Sequence, residues 1–128
     1  MNILKIGLTF LSFAAFSIEA LSGTLFTKNR YDGVEVYDTD TGSLINHFPV
    51  YSHSHRNGGI AASADRLFVS DGYLLEAYTH DGMPLYIMDG YSDYESGVAY
   101  GDGKVFSTDG GTIFATDAQT GMMLDMFP

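Results

Sequence analysis

The chain has 128 residues, no cysteine and a formal net charge of −10, from six basic and sixteen acidic side chains. A surface with this excess of negative charge repels phosphate backbones, which argues against nucleic-acid binding. The absence of cysteine excludes disulfides and thiolate metal sites, so packing or association must hold the fold together.

The first twenty residues have the pattern of a signal peptide. Lys5 gives a short positive start, residues 6–18 are mostly apolar, and Ala20 fits a cleavage site, with a buried N-terminal helix as the alternative. An apolar stretch of this length is too short to span roughly 30 Å of hydrocarbon, and nothing later is apolar enough. We therefore expect a secreted or periplasmic protein, formed by residues 21–128, with no membrane span.

The rest of the chain reads as short strands bounded by Gly and Asp, without helical periodicity. Asp-Gly pairs at several of the boundaries are typical of tight hairpin turns. We predict three units, at residues 23–49, 58–89 and 96–127, with strands near 24–28, 34–38, 43–48, 59–63, 66–70, 73–79, 84–88, 97–100, 104–108, 112–117 and 121–126.

The sequence repeats itself at a period close to 40 residues. Residues 59–72 align without a gap on residues 97–110, with five of the fourteen positions identical, and residues 38–49 align on residues 117–128. About four strands per unit at this period is typical of a β-propeller blade. The predicted fold class is all-β, a partial propeller of about three blades with four-stranded antiparallel sheets.

Three blades are fewer than a propeller needs, since propellers close with roughly four to eight. The flat faces of the first and last blade would be left bare, and exposed apolar sheet favours association. We expect either a protein partner or self-association through these faces, or a chain that is a shortened descendant or fragment of a longer propeller. A shortened chain is the favoured reading.

Two turns share the form Asp-x-x-Thr-Gly between apolar strands: Asp38, Thr41 and Gly42 in the first unit, and Asp117, Thr120 and Gly121 in the third. The second unit has a turn one residue shorter, which keeps Gly82. This pattern resembles the repeat of the pyrroloquinoline-quinone-like (quinoprotein alcohol dehydrogenase-like) propellers. The resemblance implies that these residues are structural and form the hairpin between the two outer strands of each blade.

Enzymes of that family hold the quinone against a tryptophan, and many also use adjacent cysteines and a calcium site. This chain has no Trp and no Cys, so we expect no catalytic residues and no cofactor. The alternative is a remnant or subunit of a quinoprotein dehydrogenase, which would bind pyrroloquinoline quinone or calcium.

Two connections between units carry further candidate residues. His53 and His55 would share one side of a strand and could begin a zinc or copper site, but two more ligands would be needed. Tyr91, Asp93 and Tyr94 form an acidic and aromatic loop of the kind that contacts partners. Solvated linkers are the competing interpretation of both.

The function expected from the sequence is that of an exported, non-catalytic propeller module for binding or scaffolding. The second alternative to it is a propeller assembled from several copies that binds carbohydrate on its tyrosine-rich rim.

Overall fold

A computed structural model describes residues 23–29, 33–50, 58–89 and 97–128. The predicted signal peptide lies outside these residues. The described residues form eleven β-strands and no helix: β1 (Thr24–Asn29), β2 (Gly33–Asp38), β3 (Leu44–Phe48), β4 (Ile60–Ala62), β5 (Arg66–Ser70), β6 (Leu75–Thr79), β7 (Pro84–Ile87), β8 (Val98–Gly101), β9 (Lys104–Asp109), β10 (Thr112–Asp117) and β11 (Met123–Phe127).

The strands make three antiparallel sheets, each built from strands that follow one another in the chain. The first sheet has the order β1-β2-β3, the second β4-β5-β6-β7 and the third β8-β9-β10-β11. In each sheet the pairing of the last two strands contains a β-bulge at the same place, between Val36 and Tyr37, Ala77 and Tyr78, and Ala115 and Thr116. The three sheets are therefore structural repeats of one another.

The register makes β1, β5 and β9 equivalent strands. Phe26 pairs with Val36, Phe68 with Ala77 and Phe106 with Ala115, so a phenylalanine stands at the same place in every sheet. β4 and β8 precede β5 and β9 at one edge of their sheets. Within the described residues, the first sheet has no strand equivalent to them.

Because side chains alternate along a strand, each sheet presents two faces. We call the face turned toward the next sheet along the chain the forward face, and the face turned toward the preceding sheet the rear face. The forward face of the first sheet packs on the rear face of the second in a core formed by Val34, Val36, Phe48, Val50, Leu67, Val69 and Tyr78. The forward face of the second packs on the rear face of the third in a core formed by Phe68, Leu75, Ala77, Met88, Val105 and Ala118.

The sheets fan out from their first strands. β4 lies against β8, as the innermost strands of adjacent propeller blades do, and it also contacts β1, the first described strand of the first sheet. The predicted all-β partial propeller is confirmed. The innermost strands are rich in small residues, among them Ala61, Ala62 and Ala99, which lets their backbones approach.

The strand ends differ from the predicted ones by a few residues. β6 begins at Leu75 and not near residue 73, because Asp71 forms a turn whose Oδ1 accepts hydrogen bonds from the amides of Tyr73 and Leu74, at 2.7 and 2.6 Å. None of the described ranges contains a helix with the length and apolarity that crossing a membrane requires.

Candidate functional site

The two Asp-x-x-Thr-Gly turns have the same hydrogen bonds. Asp38 Oδ1 accepts from the amides of Asp40 and Thr41 and from Thr41 Oγ1, at 2.8–3.0 Å. Asp117 Oδ1 accepts from the amides of Gln119 and Thr120 and from Thr120 Oγ1 over the same distances. Hydrogen bonds from Thr41 and Asp40 lower the pKa of Asp38, and those from Thr120 and Gln119 lower the pKa of Asp117. These side chains serve their own turns.

The shorter turn of the second sheet is held by other groups. Thr79 stands where the other turns have Asp, and its Oγ1 accepts from the amide of Met83 at 2.9 Å. The Thr79 hydroxyl also donates to Asp81, and this hydrogen bond is the main reason why the pKa of Asp81 is lowered.

These turns are also where one sheet contacts the next. Arg66 Nη1 and the Tyr86 hydroxyl of the second sheet both donate to the carbonyl oxygen of Ala118 in the turn of the third sheet, at 2.9 and 2.5 Å. The amide of Asp89 donates to the carbonyl oxygen of Gly121, at 2.6 Å. In the same way, a methyl group at Gly82 would lie 2.3 Å from Cγ of Phe48 in the first sheet. The turns of the second and third sheets thus each receive groups from the sheet before them.

A Glu-x-Tyr pair occurs on the rear face of the first two sheets. In the second sheet the Tyr78 hydroxyl donates to Glu76 at 3.0 Å, and both side chains are buried against the first sheet. In the first sheet the Tyr37 hydroxyl donates to Glu35 at 2.9 Å, but this pair is only half-buried. Burial raises the pKa of Glu76, repulsion from Asp71 adds to the rise, and the hydrogen bond from Tyr78 opposes it.

We expect Glu76→Gln to raise the free energy of unfolding at pH 7 by on the order of 1 kcal/mol, because the amide oxygen still accepts from Tyr78 and no charge is buried. The folded-state pKa of Glu76 lies above its ordinary value of 4.5, so the folded chain binds more protons than the unfolded chain between these values. Wild-type stability should therefore fall as pH rises above about 4.5, and the variant should lose this slope.

Urea unfolding at a series of pH values between about 4.5 and 8 measures the slope. Glu35→Gln is the matched control at protein concentrations low enough to keep single copies, since there it changes the same pair on a half-exposed face. A loss of stability in Glu76→Gln at pH 7, or an equal effect of both substitutions, would contradict the expectation.

The strongest departure from the repeat is at the two outer ends of the fan. On the rear face of the first sheet Leu25 is 51% exposed, whereas its equivalents Leu67 and Val105 are fully buried. On the forward face of the third sheet Phe127 is 42% exposed, whereas its equivalents Phe48 and Met88 are 6% and 3% exposed. We call these two surfaces the rear end face and the forward end face.

Both end faces are apolar over several neighbouring residues. The rear end face also carries the exposed side chains of Leu44 and Ile45 at the bulge of β3. The forward end face carries Ile113, 42% exposed, beside the half-buried Phe106. Contiguous exposed apolar surface is characteristic of sites that bind another molecule. Sequence reasoning predicted bare end faces but did not identify these residues.

The remaining candidates from the sequence lie outside the described residues: His53, His55, Tyr91, Asp93 and Tyr94. In the part of the chain that the structure does describe, no three His, Asp or Glu side chains come together as metal ligands. An open hollow of about 310 Å³ runs along β6 and β7 of the second sheet and is lined mainly by apolar side chains.

Comparisons with known proteins add no family. No protein-family model matches this chain, and a search of curated proteins finds no match either.

Proposed function

We propose that this protein is an exported, non-catalytic propeller module that works by binding another polypeptide through its end faces. The observation that carries the proposal is the difference in exposure between equivalent positions. Leu25 and Phe127 are about half-exposed, while the residues that match them in the other sheets are covered by a neighbouring sheet. An exposed sheet face whose equivalents are buried between sheets is suited to bind a further polypeptide.

The use of the polar groups supports a binding role and not a chemical one. The carboxylates of Asp38 and Asp117 accept hydrogen bonds within their own turns, and Arg66 is engaged by the turn of the third sheet. The Asp-x-x-Thr-Gly turns resemble those of the pyrroloquinoline-quinone-like propellers, whose non-enzymatic members use blades as docking scaffolds. The apolar leader in the sequence supports export.

Site-specific crosslinking tests the proposal. A photoreactive amino acid is introduced at Leu25, at Ile113 or, as a control, at Met83, which is 59% exposed on the hairpin turn of the second sheet and belongs to neither end face. After irradiation of the producing cells, adducts are identified by mass spectrometry. We expect polypeptide adducts from Leu25 and Ile113 and none from Met83. Absence of adducts from both end faces would contradict the proposal.

Titration with pyrroloquinoline quinone and calcium tests the catalytic alternative. The expected result is no change in the quinone absorption spectrum when the purified protein is added. Stoichiometric uptake of the quinone would show that the protein is a quinone carrier or a dehydrogenase subunit, and would overturn the non-catalytic assignment.

A further inference from the structure

We propose that the partner of the end faces is a second copy of this chain, which docks head to tail, with the forward end face of one copy on the rear end face of the other. This inference rests on the proposed function and names the polypeptide that the end faces bind. It follows from two interfaces that the chain already contains.

The internal interfaces define what a forward face and a rear face need in order to fit. The forward faces of the first and second sheets each carry a phenylalanine on the third strand from the outer edge of the sheet, with an aliphatic residue on the adjacent strand. These side chains pack against a branched residue on the rear face of the next sheet. Phe26 and Val34 belong to the first interface, and Phe68 and Leu75 to the second. The forward end face repeats this set with Phe106 and Ile113, at the same register positions.

The rear end face carries the residues that correspond to those on the buried rear face of the second sheet. Leu25 stands where the buried Leu67 receives the first sheet, and Tyr37 with Glu35 stands where Tyr78 with Glu76 does. The chain forms the same kind of interface twice internally, each time between a forward face and a rear face. It also exposes one forward face and one rear face of this kind, at its two ends. Two surfaces at opposite ends of one molecule can meet only between copies when the molecule is an open fan.

The turns between the outer strands give independent support for this head-to-tail contact. Gly82, in the turn of the second sheet, lies under the ring of Phe48, and Gly121, in the turn of the third sheet, lies under Tyr86. Gly42 is their equivalent in the first sheet, and a methyl group there would meet nothing within 4 Å. In the head-to-tail contact Phe127, the equivalent of Phe48, would fill the space over Gly42.

Two copies suffice to close such an arrangement. The described residues of each copy form three sheets, and a ring of six lies within the roughly four to eight blades with which propellers close. In a closed pair each copy uses both of its end faces, so no apolar end is left to recruit a third copy.

Light scattering and sedimentation velocity of the purified protein test the inference. They are run at about 0.15 M salt, where repulsion between copies is screened beyond roughly 8 Å. We expect twice the mass of a single chain. Leu25→Lys and Ile113→Lys should each raise the dissociation constant by about 100-fold or more, because a buried unpaired ammonium is costly, and Met83→Lys should not change it. Circular dichroism melts confirm that each variant folds.

Mixing the two end-face variants provides the decisive arm. Leu25→Lys keeps a native forward end face and Ile113→Lys keeps a native rear end face, so an equimolar mixture should form pairs joined by this one native interface, with the ring open at the two substituted faces, although each variant alone does not pair. A single-copy wild type, pairing that survives both substitutions, sensitivity to only one of them, or a mixture that stays unpaired would overturn the inference. Crosslinks from the end faces to another protein, together with a single-copy wild type, would overturn the inference and leave the proposed function standing.

Discussion

Replacing Phe68 by alanine is expected to lower the free energy of unfolding by about 3–5 kcal/mol, the range for removal of a fully buried aromatic side chain. Phe68 has no exposed surface, and it packs between the second and third sheets with its ring stacked on Tyr100, at 5.6 Å between centroids. The substitution would leave a cavity in the core between these two sheets, beside Leu75 and Val105. Urea unfolding followed by tyrosine fluorescence measures the loss.

Phe106→Ala is the matched control, because Phe106 stands at the same register position on the forward end face and is half-buried. At protein concentrations low enough to keep single copies, we expect a loss of only about 1–2 kcal/mol, which reflects the smaller area taken from water. Equal losses in the two variants would show that the third sheet is covered in the single chain, contrary to the structure.

Gly82→Ala is expected to lower the melting temperature more than any other single-methyl change in the turns between outer strands. Gly82 has a φ of +94°, and the added methyl carbon would lie 2.3 Å from the ring of Phe48. The left-handed backbone alone disfavours alanine by about 1–2 kcal/mol, and displacement of the buried ring adds about 1–3 kcal/mol. The sum corresponds to a fall in melting temperature of roughly 8 °C or more for a domain of this size.

Gly42→Ala separates the backbone contribution from the steric one. Gly42 has a φ of +69° but open space around its Cα, so single copies should lose only the backbone part. Thermal unfolding followed by circular dichroism compares the two variants. If Gly42→Ala were as destabilising as Gly82→Ala, the packing of Phe48 on the turn would not be a determinant of stability.

Most of the fold could be predicted from the sequence repeat. Residues 59–72 and 97–110 form equivalent strand pairs, as their alignment indicates, because hairpin sheets are specified locally by alternation and by turn residues. The sequence similarity does not extend to the first strand of the first unit, since β1 shares little with β5 and β9 beyond Phe26 and its apolar neighbour. The spacing from Phe26 to Phe68 is also longer than the spacing from Phe68 to Phe106, and this hid the third copy of that strand.

The candidate site was predictable only in part. That the fan would have two bare faces follows from the number of repeats, but which residues lie on them depends on the direction in which each strand turns its side chains. The Glu-x-Tyr pairs at residues 35–37 and 76–78 were visible in the sequence. Their different burial was not, because it comes from the position of the sheet in the stack and not from the residues themselves.

The second sheet, covered on both faces, also determines when the molecule can become stable during its synthesis. As the ribosome releases the chain, the first seven strands emerge with Phe68 and Leu75 still open to water, since their cover is supplied by Val105 and Ala118. Packing of this face of the second sheet therefore waits for the strands of the third sheet. A nascent polypeptide arrested after β7 would be a substrate for chaperones and proteases, and addition of the third sheet would end that vulnerable interval.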